Sequence, residues 1–260
     1  MAAVSADDGQ DDTVAGRRRD DAGAEVSLAG ASWHGRLARF GRDWALVVLL
    51  GALALLGAAK VGEDVFAHES TAFDEAVQRW MLAHEVPWLV KVFIVVTNIG
   101  SVGPMVALAF VASGYLWYRG KRLVAATVML APVAAVGVFD FVKHAYARPR
   151  PNGLGGIVPS SYSFPSGHAT ASAAVCATLG YVFWREGFTR RSIALAFAVL
   201  VPLLIGFSRL YLNVHWATDV LGGWSAGVVI AVLSITLYDR NRRRRHSAPT
   251  VIPSHSRSVR

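Results

Sequence analysis

The chain has 260 residues, of which 53% are hydrophobic and 17% charged, with a mean hydropathy of +0.39 and a net charge of +8. A soluble domain averages about 25% charged residues, so this composition excludes a disordered protein, a coiled coil and an ordinary soluble enzyme. The basic residues flank apolar runs instead of gathering among polar and aromatic residues, so we expect no nucleic-acid partner. The composition indicates a membrane protein.

The first 43 residues have the composition of an unfolded tail. Eight of the 18 acidic residues and a run of three arginines from Arg17 lie there, with little apolar periodicity. Dense charge and low hydrophobicity predict that residues 1–43 are disordered. The tail lacks a basic leader followed by an apolar core and a small-residue cleavage site, so we expect no cleaved signal peptide.

Six apolar segments follow the tail and predict an all-α, six-span membrane domain over residues 44–240. A helix that crosses a bilayer needs about 20 apolar residues. The second segment has 27 uncharged residues with Gly100, Gly103 and Pro104 among them, so it is expected to be kinked or tilted. The segments are Trp44–Ala59, Val92–Tyr118, Leu123–Phe139, Ala169–Trp184, Ser192–Ser208 and Val220–Tyr238.

Lysine and arginine in the connections predict the orientation of this domain. Alternate connections are rich in basic residues, so they are expected to face the cytoplasm together with both termini and the basic tail, residues 241–260. The loop over residues 62–90 has six acidic residues and one arginine, and is expected to lie outside, with Glu63, Asp64, Glu69 and their neighbours on a solvated face. Residues 140–168 and 209–219 fall on the same outer side. We therefore expect a multi-pass protein of the plasma membrane.

Three clusters of ionisable and polar residues lie in the last two outer connections, near predicted helix ends. Charged groups at membrane depth are energetically unfavourable, so their presence there indicates a functional site. The clusters are Lys143-x6-Arg150-Pro151, Pro165-Ser166-Gly167-His168 and Ser208-Arg209-x5-His215-x3-Asp219.

The spacing within each cluster has a chemical interpretation. His215 and Asp219 are four residues apart, so on a helix they share a face. A carboxylate bound to one imidazole nitrogen fixes the tautomer and leaves the other nitrogen free as a nucleophile. Backbone N–H groups at a helix start, here Ser166 to His168, attract an anion. Three cations offer donors to the oxygens of a phosphate: Lys143, Arg150 and Arg209. The set suits phosphoryl transfer without a metal.

These clusters resemble the signature of the type 2 phosphatidic acid phosphatase superfamily, K-x6-R-P, P-S-G-H and S-R-x5-H-x3-D, at every specified position. The resemblance covers roughly residues 44–240 and implies an all-α membrane lipid phosphatase. It implies that His215 attacks phosphorus to form a phosphohistidine, that Asp219 orients His215, and that His168 protonates the leaving oxygen and then activates water. The implied phosphate-binding groups are Lys143, Arg150, Ser166, the Gly167 amide and Arg209. The family needs no metal, and since no Cys and His spacing here resembles a zinc site, no cofactor is expected.

The expected partner is a lipid phosphate within the bilayer, hydrolysed at the outer face. Candidates are a polyprenyl diphosphate, phosphatidic acid and a phosphatidylglycerol phosphate. If an alcohol rather than water attacks the phosphohistidine, the same site is that of a phosphotransferase. Vanadium haloperoxidases share the signature, but they are soluble and larger. A non-catalytic transporter or scaffold is disfavoured because the nucleophile, acid and orienting residues are all intact.

Two further residues are predicted to take no part in the chemistry. Arg148 is followed by a proline but lies outside the specified pattern, so we expect it at the rim, in contact with lipid head groups. Cys176 is the single cysteine and lies in an apolar run, so we expect a small buried hydrophobic residue.

Overall fold

The computed structural model describes Ala45, residues 49–153 and residues 161–246, and within those residues it contains helices and no β-strand. Residues 50–260 cluster as one compact unit; the other unit, residues 1–49, lies almost wholly outside the described residues, as do residues 247–260. The predicted N-terminal tail is therefore not described. The helices are α1 (residues 49–66), α2 (Thr71–Ala83), α3 (Pro87–Ile99), α4 (Val102–Tyr118), α5 (Arg122–Tyr146), α6 (Gly167–Arg185), α7 (Arg191–Tyr211) and α8 (Ala217–His246).

Each of the six predicted apolar segments coincides with helix in the described residues. The second segment is two helices, α3 and α4, bent by 45° at their junction, so the predicted kink is confirmed. Gly100 ends α3, and a Cβ built there would lie 2.5 Å from the side chain of Ile205. The Ile205 side chain of α7 therefore packs closely against the α3 backbone at this position.

The number of membrane spans is not confirmed as six. Among the described residues three helices are long and apolar enough to cross a bilayer, α5, α7 and the part of α8 up to Arg243, and the bent α3/α4 pair makes a fourth. Helix α6 is long enough, but its threonine, serine, glycine and histidine residues lower its hydropathy. Thirteen of the 19 residues of α6 are buried. Because other helices cover most of α6, few of its side chains would contact lipid, and the helix needs fewer apolar residues. Helix α1 is described only from residue 49.

Residues 62–90 are partly helical and are not the loop that the sequence predicts, although Glu63 and Glu69 are exposed as expected. Helix α1 continues to residue 66, and α2 occupies Thr71–Ala83. Most acidic residues of this stretch are exposed, but Asp74 has only 1% of its surface accessible. A carboxylate buried to this degree requires a partner, and it finds that partner in the candidate site.

Helix α6 is the centre of the fold and packs against α4, α5, α7 and α8. It approaches α8 closely, since a Cβ built on Gly227 would lie 2.6 Å from both the Thr170 carbonyl oxygen and the Ala173 Cβ. Cys176, in the middle of α6, is fully buried, as predicted. The close α6–α8 contact brings the start of α6 against the start of α8, where the second and third sequence clusters lie.

Candidate active site

The three sequence clusters meet at one end of four helices. Lys143 lies in the last turn of α5, His168 in the first turn of α6, Arg209 in the last turn of α7 and Asp219 in the first turn of α8. Ser166 joins two of these helices directly, because its backbone N–H donates to the Asp219 carbonyl oxygen at 3.0 Å. Residues distant in sequence are thereby placed in one buried site.

His215 is held in one tautomer. Its Nε2 lies 2.8 Å from Nη1 of Arg150, and its Nδ1 lies 3.2 Å from Oδ2 of Asp219. Because a guanidinium only donates hydrogen bonds, Nε2 must accept and the ring proton must reside on Nδ1. His215 precedes α8 by two residues, so the predicted contact with Asp219 forms although His215 is not itself helical.

The Asp219 carboxylate is fully buried and has four donors. Besides His215 it accepts from the Ser163 hydroxyl, from the Trp216 backbone N–H at 2.8 Å and from Nη1 of Arg148 at 2.8 Å. Asp219 is the third residue of α8, and Trp216 immediately precedes the helix. The contact between them is therefore the carboxylate half of a capping box. These donors fix the carboxylate in the orientation that binds His215.

Arg148 is not at the rim, contrary to the prediction from its place outside the signature. Its guanidinium bridges two buried carboxylates, with Nη1 at 2.8 Å from Asp219 and Nη2 at 2.6 Å from Asp74. Nη1 also donates to the Thr218 hydroxyl, and the guanidinium lies over the Trp216 ring. The buried carboxylates attract Arg148 inward, and they share its single positive charge.

Lys143 and Arg150 both bind the segment that precedes α6. Lys143 Nζ donates to the Tyr162 carbonyl at 2.6 Å, and Arg150 Nη2 donates to the same carbonyl at 3.0 Å. Both also contact the Ser161 hydroxyl. The predicted lysine and arginine therefore converge on one point, and Arg150 continues from it to Nε2 of His215.

Two buried polar atoms in this site have no hydrogen-bond partner among the described residues: Nε of Arg209 and Oγ of Ser166. Nη1 of Arg209 donates to the Thr97 hydroxyl at 2.6 Å, so the guanidinium is held from one side. Buried polar groups without a partner are rare in native proteins and call for an explanation. Both belong to residues that the sequence assigned to phosphate binding.

The start of α6 places His168 and Gly167 beside these groups. Electrostatic interactions connect His168 with His215 and with the cations Arg209, Arg150 and Lys143. A Cβ built on Gly167 would meet only the Phe139 ring, at an ordinary 3.5 Å. Packing among the described residues therefore does not require a glycine there.

The electrostatic environment keeps His215 neutral. Burial lowers its pKa well below the usual value, and the positive charges of Arg150, Arg209 and Lys143 lower it further. Burial also lowers the pKa of Arg150, but an arginine side chain stays protonated. The site thus combines an uncharged imidazole with charged cations.

Sequence reasoning missed several residues of this site. Arg148 stands in the repeat Arg148-Pro149-Arg150-Pro151, and this repeat could have indicated that Arg148 belongs to the same site as Arg150. Asp74 and Ser163 belong to none of the three clusters, so nothing in the sequence pointed to them. Within the described residues no three side chains of His, Cys, Asp or Glu are grouped to hold a metal ion, and metal independence stays a prediction.

A cavity of about 430 Å³ adjoins the site on the side of Arg148 and Trp216. Its other walls come from the ends of α1 and α5, with Val65, Phe66 and Tyr146 among the lining residues. The lining is largely apolar and aromatic.

Comparison with known proteins gives consistent matches. A sequence model of the PAP2 superfamily matches residues 122–243, which include all three clusters. Phosphatidylglycerophosphatase B of Bacillus subtilis is 30% identical over 163 residues, 62% of this chain and 80% of that protein. Undecaprenyl-diphosphatase of Sulfolobus acidocaldarius is 27% identical over 154 residues, 52% of this chain and 69% of that protein. The crystal structure of a transmembrane PAP2-type phosphatidylglycerolphosphate phosphatase from Bacillus subtilis has a TM-score of 0.63 and 26% identity, with 75% of this chain and 96% of that chain covered.

Proposed function

This chain belongs to the PAP2 superfamily, and on that premise we propose that it is a membrane-bound, metal-independent phosphatase of lipid phosphates that forms a phosphohistidine at His215. The observation that carries the proposal is an imidazole of fixed tautomer, oriented by Asp219, among the cations Lys143, Arg150 and Arg209. The named relatives are lipid phosphatases, which supports a hydrolase acting on phosphoric esters.

In the first step, Nε2 of His215 attacks the phosphorus, and the bond from phosphorus to the lipid oxygen breaks. His168 gives its proton to that oxygen as it leaves. The His215 ring becomes positively charged, and its Nδ1–H bond to the Asp219 carboxylate stabilises the charge. Before this attack, Arg150 must give up its hydrogen bond to Nε2. A phosphate oxygen can take over that donor, because it is a stronger acceptor for a guanidinium than a neutral imidazole nitrogen.

In the second step, water attacks the phosphohistidine. His168, now neutral, takes a proton from the water as the new phosphorus–oxygen bond forms and the phosphorus–nitrogen bond breaks. Inorganic phosphate leaves, and both histidines return to their initial states. One residue thus acts first as an acid and then as a base, in the order that the reaction requires.

The phosphoryl oxygens are proposed to bind the three cations, the Ser166 hydroxyl and the Gly167 N–H. Nε of Arg209 and Oγ of Ser166, which have no partner within the described part of the chain, support this role, since a phosphate offers acceptors to both. The glycine at 167 supports it too, because packing does not demand it and close approach of a substrate oxygen explains it. Fixed donors of this kind stabilise the charge that develops in the transition state.

The lipid part of the substrate is proposed to lie in the cavity beside Arg148 and Trp216. Its apolar and aromatic lining suits a prenyl or acyl chain next to the phosphate. The substrate class is a polyprenyl diphosphate, phosphatidic acid or a phosphatidylglycerol phosphate. Relatives named for phosphatidylglycerophosphate and undecaprenyl diphosphate support two of the three.

We place the site at the outer face of the plasma membrane, with six spans and both termini cytoplasmic, because basic residues concentrate on the opposite connections. A cysteine at Asn152, which is exposed beside the site, is expected to react with an impermeant maleimide in intact cells. One at Tyr118, 86% exposed at the other end of α4, is expected to react only after lysis. The reverse labelling pattern would mean that the site faces the cytoplasm. The native Cys176 is fully buried and gives little background.

Phosphate release by the purified full-length protein tests the activity. A panel of the three lipid phosphates is assayed in EDTA, with the His215→Ala variant as the matched control. We expect release from at least one lipid, insensitivity to EDTA, and inhibition by vanadate, which mimics the five-coordinate transition state. A strict requirement for added Mg²⁺ would contradict the assigned site. Transfer of phosphate to an added alcohol in preference to water would make the protein a phosphotransferase.

A further inference from the structure

A second cavity lies at the opposite ends of the helices that form the candidate active site. It has a volume of about 200 Å³ and lies between the start of α5, the end of α6 and the last turns of α8. Leu123, which lines it, and Lys143, in the active site, are separated along α5 by roughly 30 Å at about 1.5 Å per residue. The cavity is therefore separate from the phosphoryl-transfer site and unused by the proposed mechanism.

One carboxylate lines this cavity, and its charge is already compensated. Glu186 pairs with Nζ of Lys121 through one oxygen and accepts the Tyr238 hydroxyl at 2.6 Å through the other. Burial by itself raises the pKa of Glu186, but the hydrogen bonds from Lys121 and Tyr238 and the positive charges of Lys121 and Arg242 outweigh it and the pKa is lowered. Glu186 thus stays ionised and neutralises Lys121, which also lies over the Phe188 ring.

The remaining polar side chains of the cavity are Thr127, whose hydroxyl donates to the Leu123 carbonyl, and two residues of α8. Asn241 and Arg242, both half-buried, line its α8 side. Neither side chain donates a hydrogen bond to another residue in the described part of the chain. With Glu186 and Lys121 cancelling each other, Arg242 leaves the lining with one net positive charge.

The other walls are apolar and lead toward the lipid. Leu123 is 50% exposed and Val124 lies beside it in the first turn of α5. A guanidinium fork that binds two oxygens, beside an amide and next to an apolar surface, matches a phosphate ester attached to a hydrocarbon chain. Basic pockets between helices near the cytoplasmic membrane surface are typical places for anionic lipid head groups.

We propose that this cavity binds the phosphate head group of an anionic phospholipid, with Arg242 and Asn241 holding the phosphate oxygens and Leu123 and Val124 contacting the start of the acyl chains. The orientation proposed above makes this a lipid of the cytoplasmic leaflet, but head-group binding itself does not depend on the orientation. The site is proposed to hold a lipid that is not turned over, since no histidine or cysteine is among the described residues that line the cavity.

Native mass spectrometry of the full-length protein with phosphatidylserine or phosphatidylcholine tests the proposal. Arg242→Gln is expected to weaken phosphatidylserine binding by about tenfold or more, as loss of a charge-assisted hydrogen bond does, and Arg242→Lys by less, since it keeps the charge but not the fork. The matched control is Arg240→Gln, which removes an equal charge from an exposed position of α8 outside the cavity. It is expected to change binding less than twofold, a difference of roughly 0.4 kcal/mol.

Three results would overturn the proposal. Equal losses of phosphatidylserine binding in the Arg240 and Arg242 variants would show that the positive charge of α8 attracts the lipid without a defined binding site. Unchanged binding in Arg242→Gln would exclude the cavity. Displacement of the lipid by inorganic phosphate at similar concentration would identify a site for free phosphate. Unchanged melting temperatures of the variants exclude misfolding, and because the readout is lipid binding, none of these results bears on catalysis.

Discussion

The carboxylate of Asp74 in α2 accepts the backbone N–H of Thr218 at the start of α8, 2.9 Å from Oδ1. The first N–H groups of a helix have no partner within it, and a negative charge there also interacts favourably with the helix dipole. Asp74 binds the Thr218 hydroxyl and Arg148 as well. A helix outside the signature thereby fixes the helix that presents Asp219.

Replacing Asp74 by alanine is expected to destabilise the protein by about 3 kcal/mol, because it removes the buried carboxylate that accepts from Nη2 of Arg148 and from the Thr218 N–H. Unfolding of the purified variant in detergent measures the change. The control is Glu75→Gln, which breaks an exposed pair with Arg79 and should alter stability by less than about 1 kcal/mol. Equal stability of the two variants would contradict the capping role of Asp74.

Substitutions of Arg148 and Arg150 are expected to change the steady-state kinetics in different ways. Arg148→Lys misplaces Asp219 and through it His215, so kcat should fall by up to the order of 10²-fold with little change in KM. Arg150→Lys removes the guanidinium fork that is proposed to bind phosphate, so KM should rise as well. Steady-state kinetics on one lipid phosphate separate these patterns. A rise in KM alone for Arg148→Lys would place that residue in contact with substrate.

The activities of the His215 and His168 variants are expected to depend differently on the leaving group of the substrate. His215→Ala removes the proposed nucleophile, so no phosphoenzyme should form and activity should fall to background on every substrate. His168→Ala removes only the proton donor, a loss on the order of 10²–10⁴-fold that should shrink for an aryl phosphate, whose oxygen leaves without an acid. Rapid-quench trapping of the phosphohistidine checks the assignment. Phosphorylation of the His215 variant would identify another nucleophile.

The pH dependence is expected to reflect the cations around His215. Protonation inactivates this residue, and its lowered pKa moves the acid limb of kcat/KM below the usual histidine value of about 6.5. Arg150→Gln removes one cause of that lowering, so the limb should shift to higher pH. Both proteins are measured on the same substrate, whose own ionisation then cancels. A limb that does not move would mean that Arg150 leaves the nucleophile unperturbed.

Close packing of α6 and α8 is expected to tolerate no added methyl group. Gly227→Ala places a Cβ 2.6 Å from two atoms of α6, and such overpacking typically destabilises by about 1–3 kcal/mol. Gly137→Ala in α5 is the control, since a Cβ there has open space around it and alanine favours helix by up to about 1 kcal/mol. Thermal unfolding should therefore move in opposite directions for the two variants.

The sequence predicted those parts of the fold and site that depend on local patterns. Apolar runs located the helices, and Gly100 located the bend, because both follow from short-range composition. Residues of the signature were found because their spacing is regular. Helix α2 was missed although Phe73, Val77, Trp80 and Met81 recur at helical spacing, a signal that the surrounding charge obscured.

Other features depend on contacts between distant residues and could not be predicted from the sequence. Asp74 and Arg148 are 74 residues apart, and the acidic context of Asp74 suggested exposure. Ser163 reaches Asp219 from 56 residues away and resembles any serine in a connecting segment. The inward position of Arg148 follows from two buried carboxylates whose burial is itself a product of the packed helices.

The hydrogen bond from Arg150 to Nε2 of His215 also determines which reagents the enzyme can distinguish. A neutral electrophile meets a nitrogen whose lone pair is already shared with a guanidinium, so it reacts slowly. An anion that resembles phosphate draws the guanidinium away and exposes the lone pair as it binds. Selective covalent inhibitors of this site should therefore carry a negative charge next to the reactive atom, and uncharged histidine-modifying reagents should be poor ones.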